Sequence, residues 1–215
     1  MTRMHIVVRS TFFWAMAGLF LLGAATGGRA ADGPMELAGI RLGLSVDALA
    51  DKLVTNGADR ALHQSYLGVV PVAPVPGYRS GYVEFGLCAA PGRIVRIKMN
   101  YADDSLPFFN RIMEALKARY GEPKEWRGNA FGTLRTWKWG LKTSSGQPVS
   151  LILMHYEGED GAFTEGNSLR IAATGMVREE EQCHAAKLGR EKATNSRAGQ
   201  EADMKSLGLD CFLPR

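Results

Sequence analysis

The stretch RIVRIKMNY, residues 93–101, alternates apolar and polar side chains from Val95 onward. Val95, Ile97, Met99 and Tyr101 fall on one face of an extended chain, and Arg96, Lys98 and Asn100 fall on the other. Strict alternation of this kind requires a sheet with one buried and one wet face, the signature of antiparallel rather than parallel pairing. The preceding GYVEFGLC reads the same way, with Val83, Phe85 and Leu87 opposed to Tyr82, Glu84 and Cys88. The turn-forming AAPG separates the two strands. Upstream, HQSYLGVV predicts a short strand, and Pro71, Pro74 and Pro76 confine the next segment to an edge or a loop.

Helical periodicity interrupts these strands twice. Ser45 is placed as an N-cap, Val46, Leu49 and Leu53 recur at helical spacing, and Asn56-Gly57 is a stop, predicting a helix over about 46–55. DDSLPFFNRIMEALKARYGEP is the clearer case. Capping residues at Asp103 to Ser105 precede a stripe of Phe109, Ile112, Met113, Leu116 and Tyr120, and Gly121 closes it. Further strands are expected at about 133–141, 148–157 and 168–174. The order is helix, three strands, helix, three strands, compatible with two imperfect repeats. It predicts a two-layer α+β fold with helices on one face of an antiparallel sheet.

The first 30 residues carry Arg3 and Arg9, an uncharged apolar run to about Ala25, and a small-residue exit ending in Gly28-Arg29-Ala30. This is the pattern of a secretory signal peptide cleaved after Ala30, too short in its apolar part for a spanning helix. Cleavage would remove three arginines and no acid, lowering the formal charge from +4 to +1 over the roughly 185 residues left. That weakens net charge as an argument for nucleic acid or an anionic membrane. Charge is nonetheless uneven: residues 93–142 sum to +6 and residues 143–181 to −5. Complementary faces within the fold would account for this; so would a basic surface, with Arg96, Lys98 and Lys138 its candidates, facing an acidic partner.

The opening GIRLGLSVDALADKL resembles the start of small bacterial envelope proteins, over about 15 residues. Among these are the small lipoprotein of the outer-membrane barrel-assembly machinery and the β-lactamase-inhibitor-protein-like fold around it. The resemblance implies a binding or scaffold role. The chain departs from the lipoprotein pattern in having no lipid-bearing cysteine at the leader's exit, so no stable membrane anchor is expected after cleavage.

In LRTWKWGL, residues 134–141, Arg135, Trp137, Trp139 and Leu141 share one strand face, while Leu134, Thr136 and Lys138 share the other. A stacking platform for nucleic acid or sugar would need the tryptophans beside Arg96 and Lys98. Both are therefore expected in the core, each burying roughly 150–250 Å².

No nucleophile elbow, HExxH, phosphate loop or dinucleotide turn occurs, and no cofactor or metal is expected. His155-Tyr156-Glu157 places an imidazole and a carboxylate on one strand face, without the cysteine pair of zinc deaminases. Glu157, Glu159, Asp160 and Glu165 do not match a calcium-loop spacing. Cys183-His184 lacks a second motif cysteine. The tail from Glu179 to Arg215 is polar and reads as a frayed helix plus disordered linker, outside a domain of 31–178.

Three cysteines in an exported chain allow one disulfide. Cys183–Cys211 is the favoured pair, closing a loop of nearly 30 residues worth roughly 3–3.5 kcal/mol, with Cys88 the odd thiol. A link from Cys88 to either tail cysteine is the next choice, and three free thiols the last. Together these features predict a periplasmic or secreted, non-enzymatic module binding another envelope protein or an acidic ligand, and not nucleic acid. The alternative is a periplasmic hydrolase or metal-dependent enzyme with a dispersed site. That would bring His63 or His155 together with carboxylates in one pocket.

Overall fold

The computed structural model describes residues 32–158 and 164–206, with side chains described to Thr194. The expected signal peptide, Glu159, Asp160 and Cys211 lie outside the described residues. The fold is α+β. Among the described residues ten strands run in chain order as β1 (Glu36–Leu37), β2 (Ile40–Arg41), β3 (Asp59–Arg60), β4 (Leu67–Pro71), β5 (Tyr78–Gly86), β6 (Ile94–Tyr101), β7 (Glu125–Gly128), β8 (Leu134–Lys142), β9 (Pro148–Tyr156) and β10 (Gly166–Ala173). Helix α1 (Leu106–Tyr120) separates β6 from β7, and α2 (Thr174–Ser206) comes after β10.

Strands β3 to β10 form one antiparallel sheet in the order β3-β4-β5-β6-β10-β9-β8-β7. It consists of two four-stranded meanders, β3 to β6 and β7 to β10, joined where β6 pairs with β10. The repeat unit therefore has four strands where the sequence suggests three. The unpredicted members, β3 and β7, are edge strands of two and four residues, too short to show a period of two.

The expected helix at 46–55 is instead a 3-10 segment, Val46–Lys52, broken by non-helical Leu49, with a second short turn after it at Thr55–Gly57. Ser45 does cap it, accepting from the Asp47 N–H at 3.3 Å. A segment this short cannot sustain an α-helix by its own cooperativity. Burial decides its path: Leu49 and Leu53 enter the core, and Leu53 bridges to Val72.

Helix α1 matches its sequence closely. Ser105 accepts from the Phe108 N–H, Gly121 ends the helix at φ 76°, and the whole expected stripe packs onto one sheet face. The indole N–H of Trp139 donates to the Gly121 carbonyl at 2.8 Å, tying the helix end to β8. The core lies between this sheet face, α1 and the N-terminal segment bearing Ile40, Leu42, Leu49 and Leu53. One register differs from the simple alternation. A bulge between β5 and β6 puts Ile94, rather than Val95, in the core cluster beside Ile97.

The two tryptophans part company. Trp139 is fully buried, whereas Trp137 is half-buried and packs against exposed Trp126 of edge strand β7.

The disulfide is Cys88–Cys183, which corrects the preference for Cys183–Cys211 with Cys88 free. Strand β5 stops at Gly86, so Cys88 stands in the connection to β6 that α2 crosses. Glu180, one turn earlier in α2, accepts the Cys88, Ala89 and Ala90 N–H groups, all at 2.8 Å. Residue 183 shares that helix face, which sets the two cysteines 5.8 Å apart at Cα. The expected change from domain to tail at 178–179 thus falls inside a continuous helix. From Ala185 to Thr194 its side chains are all exposed. Among the described residues no helix is long and apolar enough to cross a membrane.

Candidate functional site

The sheet face opposite α1 carries a cavity of about 670 Å³, within the size range of small-ligand sites. Its floor is built by register. One row across six strands reads Tyr82, Lys98, Arg170, Ile152, Lys138 and Glu125, each directly opposite the next. The adjacent row reads Ser80, Asn100, Ser168, Met154, Thr136 and Arg127. Because side chains alternate along each strand, these rows are the polar partners of the core-facing positions. The centre is an exception, since Ile152 and Met154 of β9, with Leu134 of β8, put apolar side chains where an open antiparallel face is normally polar.

Charges on this face divide into those held in ion pairs and those that are not. Arg96 pairs with buried Glu84 and also donates to Gln64 at 2.9 Å. On the far side, Glu125 accepts from Lys138 at 3.0 Å and from Arg127 at 2.5 Å. These hydrogen bonds, that from Lys138 foremost, hold the Glu125 carboxyl below its ordinary range. Between the two sets stand Lys98 and Arg170 on adjacent strands, with no ion pair among the described residues. Lys98 donates to the Thr164 hydroxyl at 2.9 Å and lies 5.9 Å from the Tyr82 ring. Its pKa is pushed down, first by burial and then by Arg170 and Arg79. Burial, and after it the charge of Arg96, likewise lowers that of Arg170. Nearby Asn100 is buried and donates to Ser80, while its carbonyl oxygen meets no donor.

Of the residues singled out from sequence, Lys98 and Lys138 line the same cavity, on β6 and β8 with β10 and β9 between them, whereas Arg96 is engaged by Glu84. Arg170 went unseen. Its signal is the alternation in NSLRIAA, where Ser168 and Arg170 oppose Leu169 and Ile171. Which neighbour it would meet depends on the β6–β10 pairing, which sequence alone does not state.

The histidines do not join this cavity. His63 is exposed. His155 is buried against Phe109, on the α1 side. Asn167 donates to the Asp103 and Ser105 carbonyls, so its own oxygen faces His155 Nδ1 at 2.7 Å and accepts from it. His155 Nε2 lies 2.5 Å from Glu157, whose carboxyl this bond pushes down. The network anchors the start of α1 to β9 and β10. Glu165 is exposed, and His184 meets the Ser65 hydroxyl at 3.0 Å beside the disulfide. Among the described residues no three histidine, cysteine or carboxylate side chains converge as metal ligands would.

No family model, no curated protein and no solved structure matches the chain.

Proposed function

We propose that this protein is an exported, non-enzymatic binding module of the cell envelope, periplasmic or secreted, whose open sheet face takes an acidic ligand. The observation that carries the reading is the adjacent pair Lys98 and Arg170, two partly buried cations without an ion-pair partner among the described residues, set in a cavity of about 670 Å³. Bringing two like charges together under partial desolvation is unfavourable in the free protein, and an anion between them reverses the sign. The basic leader with its apolar run and small-residue exit supports export, as does the Cys88–Cys183 disulfide, since such bonds persist in oxidising compartments. The resemblance of residues 39–53 to small envelope proteins points the same way.

Photo-crosslinking in cells that export the protein tests this. A photoreactive residue at Thr136, in the cavity, is compared with one at Arg119, on the exposed surface of α1. Intact mass reads the adduct whatever its size. Adducts are expected from position 136 alone, and they should fall at least tenfold when Lys98 and Arg170 are both replaced by Gln. Adducts from position 119 alone, or adducts at 136 that ignore the loss of both cations, would overturn the reading.

A further inference from the structure

We infer that the open-face cavity is built for an amphiphile with one anionic head and one apolar chain, the head held by Lys98 and Arg170 and the chain lying across Ile152, Met154 and Leu134. This inference rests on the proposed role of that face and narrows its ligand to a chemical class.

Three features of the rows carry it. First, among the described residues the unpaired cations lining the cavity are Lys98 of β6 and Arg170 of β10, at one side of the floor, with Arg79 of β5 close enough to act on Lys98. A planar guanidinium beside an ammonium matches a carboxylate or phosphate head, the first able to bind it in a fork and the second as a point charge.

Second, the strip next to the cations is apolar. Moving from β10 to β9 and β8, a ligand meets Ile152, Met154 and Leu134, and the Tyr82 ring flanks Lys98 on the other side. A compact dianion or an extended polyanion would leave this strip unused. A chain of methylenes would cover it, at about 0.8 kcal/mol for each fully buried methylene.

Third, the cations past the strip are already ion-paired. Lys138 and Arg127 are both engaged by Glu125 at the β7 side, so a second anionic group arriving there would have to displace that carboxylate. From Arg170 to Glu125 is three strand spacings, roughly 14 Å, a span that suits one head and a chain of medium length. The site is thus asymmetric: two unpaired cations, then an apolar strip, then an ion cluster in which two cations share one carboxylate.

Native mass spectrometry and calorimetric titration of the mature chain test the inference with the sodium salts of hexanoate, octanoate and dodecanoate, dodecyl phosphate, dodecyltrimethylammonium and a hexaglutamate peptide. The expected result is one dodecanoate or dodecyl phosphate bound per chain, the tighter of the two identifying the head. Affinity should rise by roughly tenfold for every two carbons added to the carboxylate. Lys98→Gln with Arg170→Gln should weaken dodecanoate at least tenfold, Lys98→Gln alone should lose part of that, and Lys98→Arg should keep most of the wild-type affinity. If the double variant fails to fold, Ile152→Ser, which leaves both cations, should instead flatten the chain-length series. Hexaglutamate binding that depends on the two cations, with no dodecanoate binding, would overturn the amphiphile while leaving the acidic-ligand reading of the face intact. Failure of every anion would overturn both. Equal binding of dodecyltrimethylammonium would show that the head plays no part and would overturn the inference as stated.

Discussion

At the scale of single residues, the open face keeps side chains that cost the free protein stability. The pKa of Lys98 is depressed below its ordinary value of 10.5 by burial, Arg170 and Arg79. The unfolded chain therefore holds that proton more tightly, so Lys98 detracts from stability at neutral pH, and the penalty lifts as pH rises through its folded pKa. Lys98→Met should stabilise the ligand-free protein at pH 7 by roughly 0.5–2 kcal/mol, the range common for relieving functional compromises. It should also remove the alkaline gain in stability. Urea unfolding at pH 7 and pH 10 measures both. The tryptophans give a contrast of the opposite kind. Trp139 is buried and donates to Gly121, so Trp139→Ala should cost about 3–5 kcal/mol. Trp137, covered on one side by exposed Trp126, should cost about half as much. Alternation in LRTWKWGL placed both on the core face but could not show that the neighbouring strand is a four-residue edge. Depth of burial depends on what covers a residue, and that lies elsewhere in the chain.

At the scale of elements, α1 and the longer strands were legible because each carries its own period and caps. Helix α2 was not. Its docking owes less to an apolar stripe, of which Met176 meets the core cluster, than to polar contacts centred on one buried carboxylate. Glu180 is fully buried, accepts three successive backbone N–H groups and lies 3.7 Å from Arg93. Gly86 makes room for it, since a Cβ at that position would overlap the Glu180 carboxylate. Three consecutive donors and a single acid leave no pattern in a hydropathy profile, so the chain from Glu179 read as a tail. The same contact explains the disulfide: Glu180 brings Cys183 over Cys88, closing a 95-residue separation worth roughly 4.7 kcal/mol on the chain-entropy account. Glu180→Ala strands three donors and should cost about 3 kcal/mol. Gly86→Ala should cost a similar amount by expelling the carboxylate. With the disulfide reduced, either variant should let trypsin cut after Arg178 well before the sheet unfolds; equal resistance to wild type would show that α2 is held by something else.

At the scale of the whole molecule, two four-stranded meanders joined at β6 and β10 make one broad sheet with one covered and one open face. The α+β class and the two-face logic were readable from RIVRIKMNY and the helix stripe after it. The half-to-half pairing was not, and it is this pairing that sets Lys98 of the first meander beside Arg170 of the second. The site therefore belongs to neither half, and local sequence could supply its parts without its assembly. The central claim is that this open face is where the protein binds. The most direct measurement is an amide NMR titration of the protein with dodecanoate, mapped onto the sheet. Binding at the open face predicts shifts concentrated at residues 80–84, 96–100, 134–138, 150–154 and 166–170, lost in the Lys98→Gln, Arg170→Gln variant. Shifts confined to α1 or to the surroundings of His184 and the disulfide, with the open face silent, would contradict it.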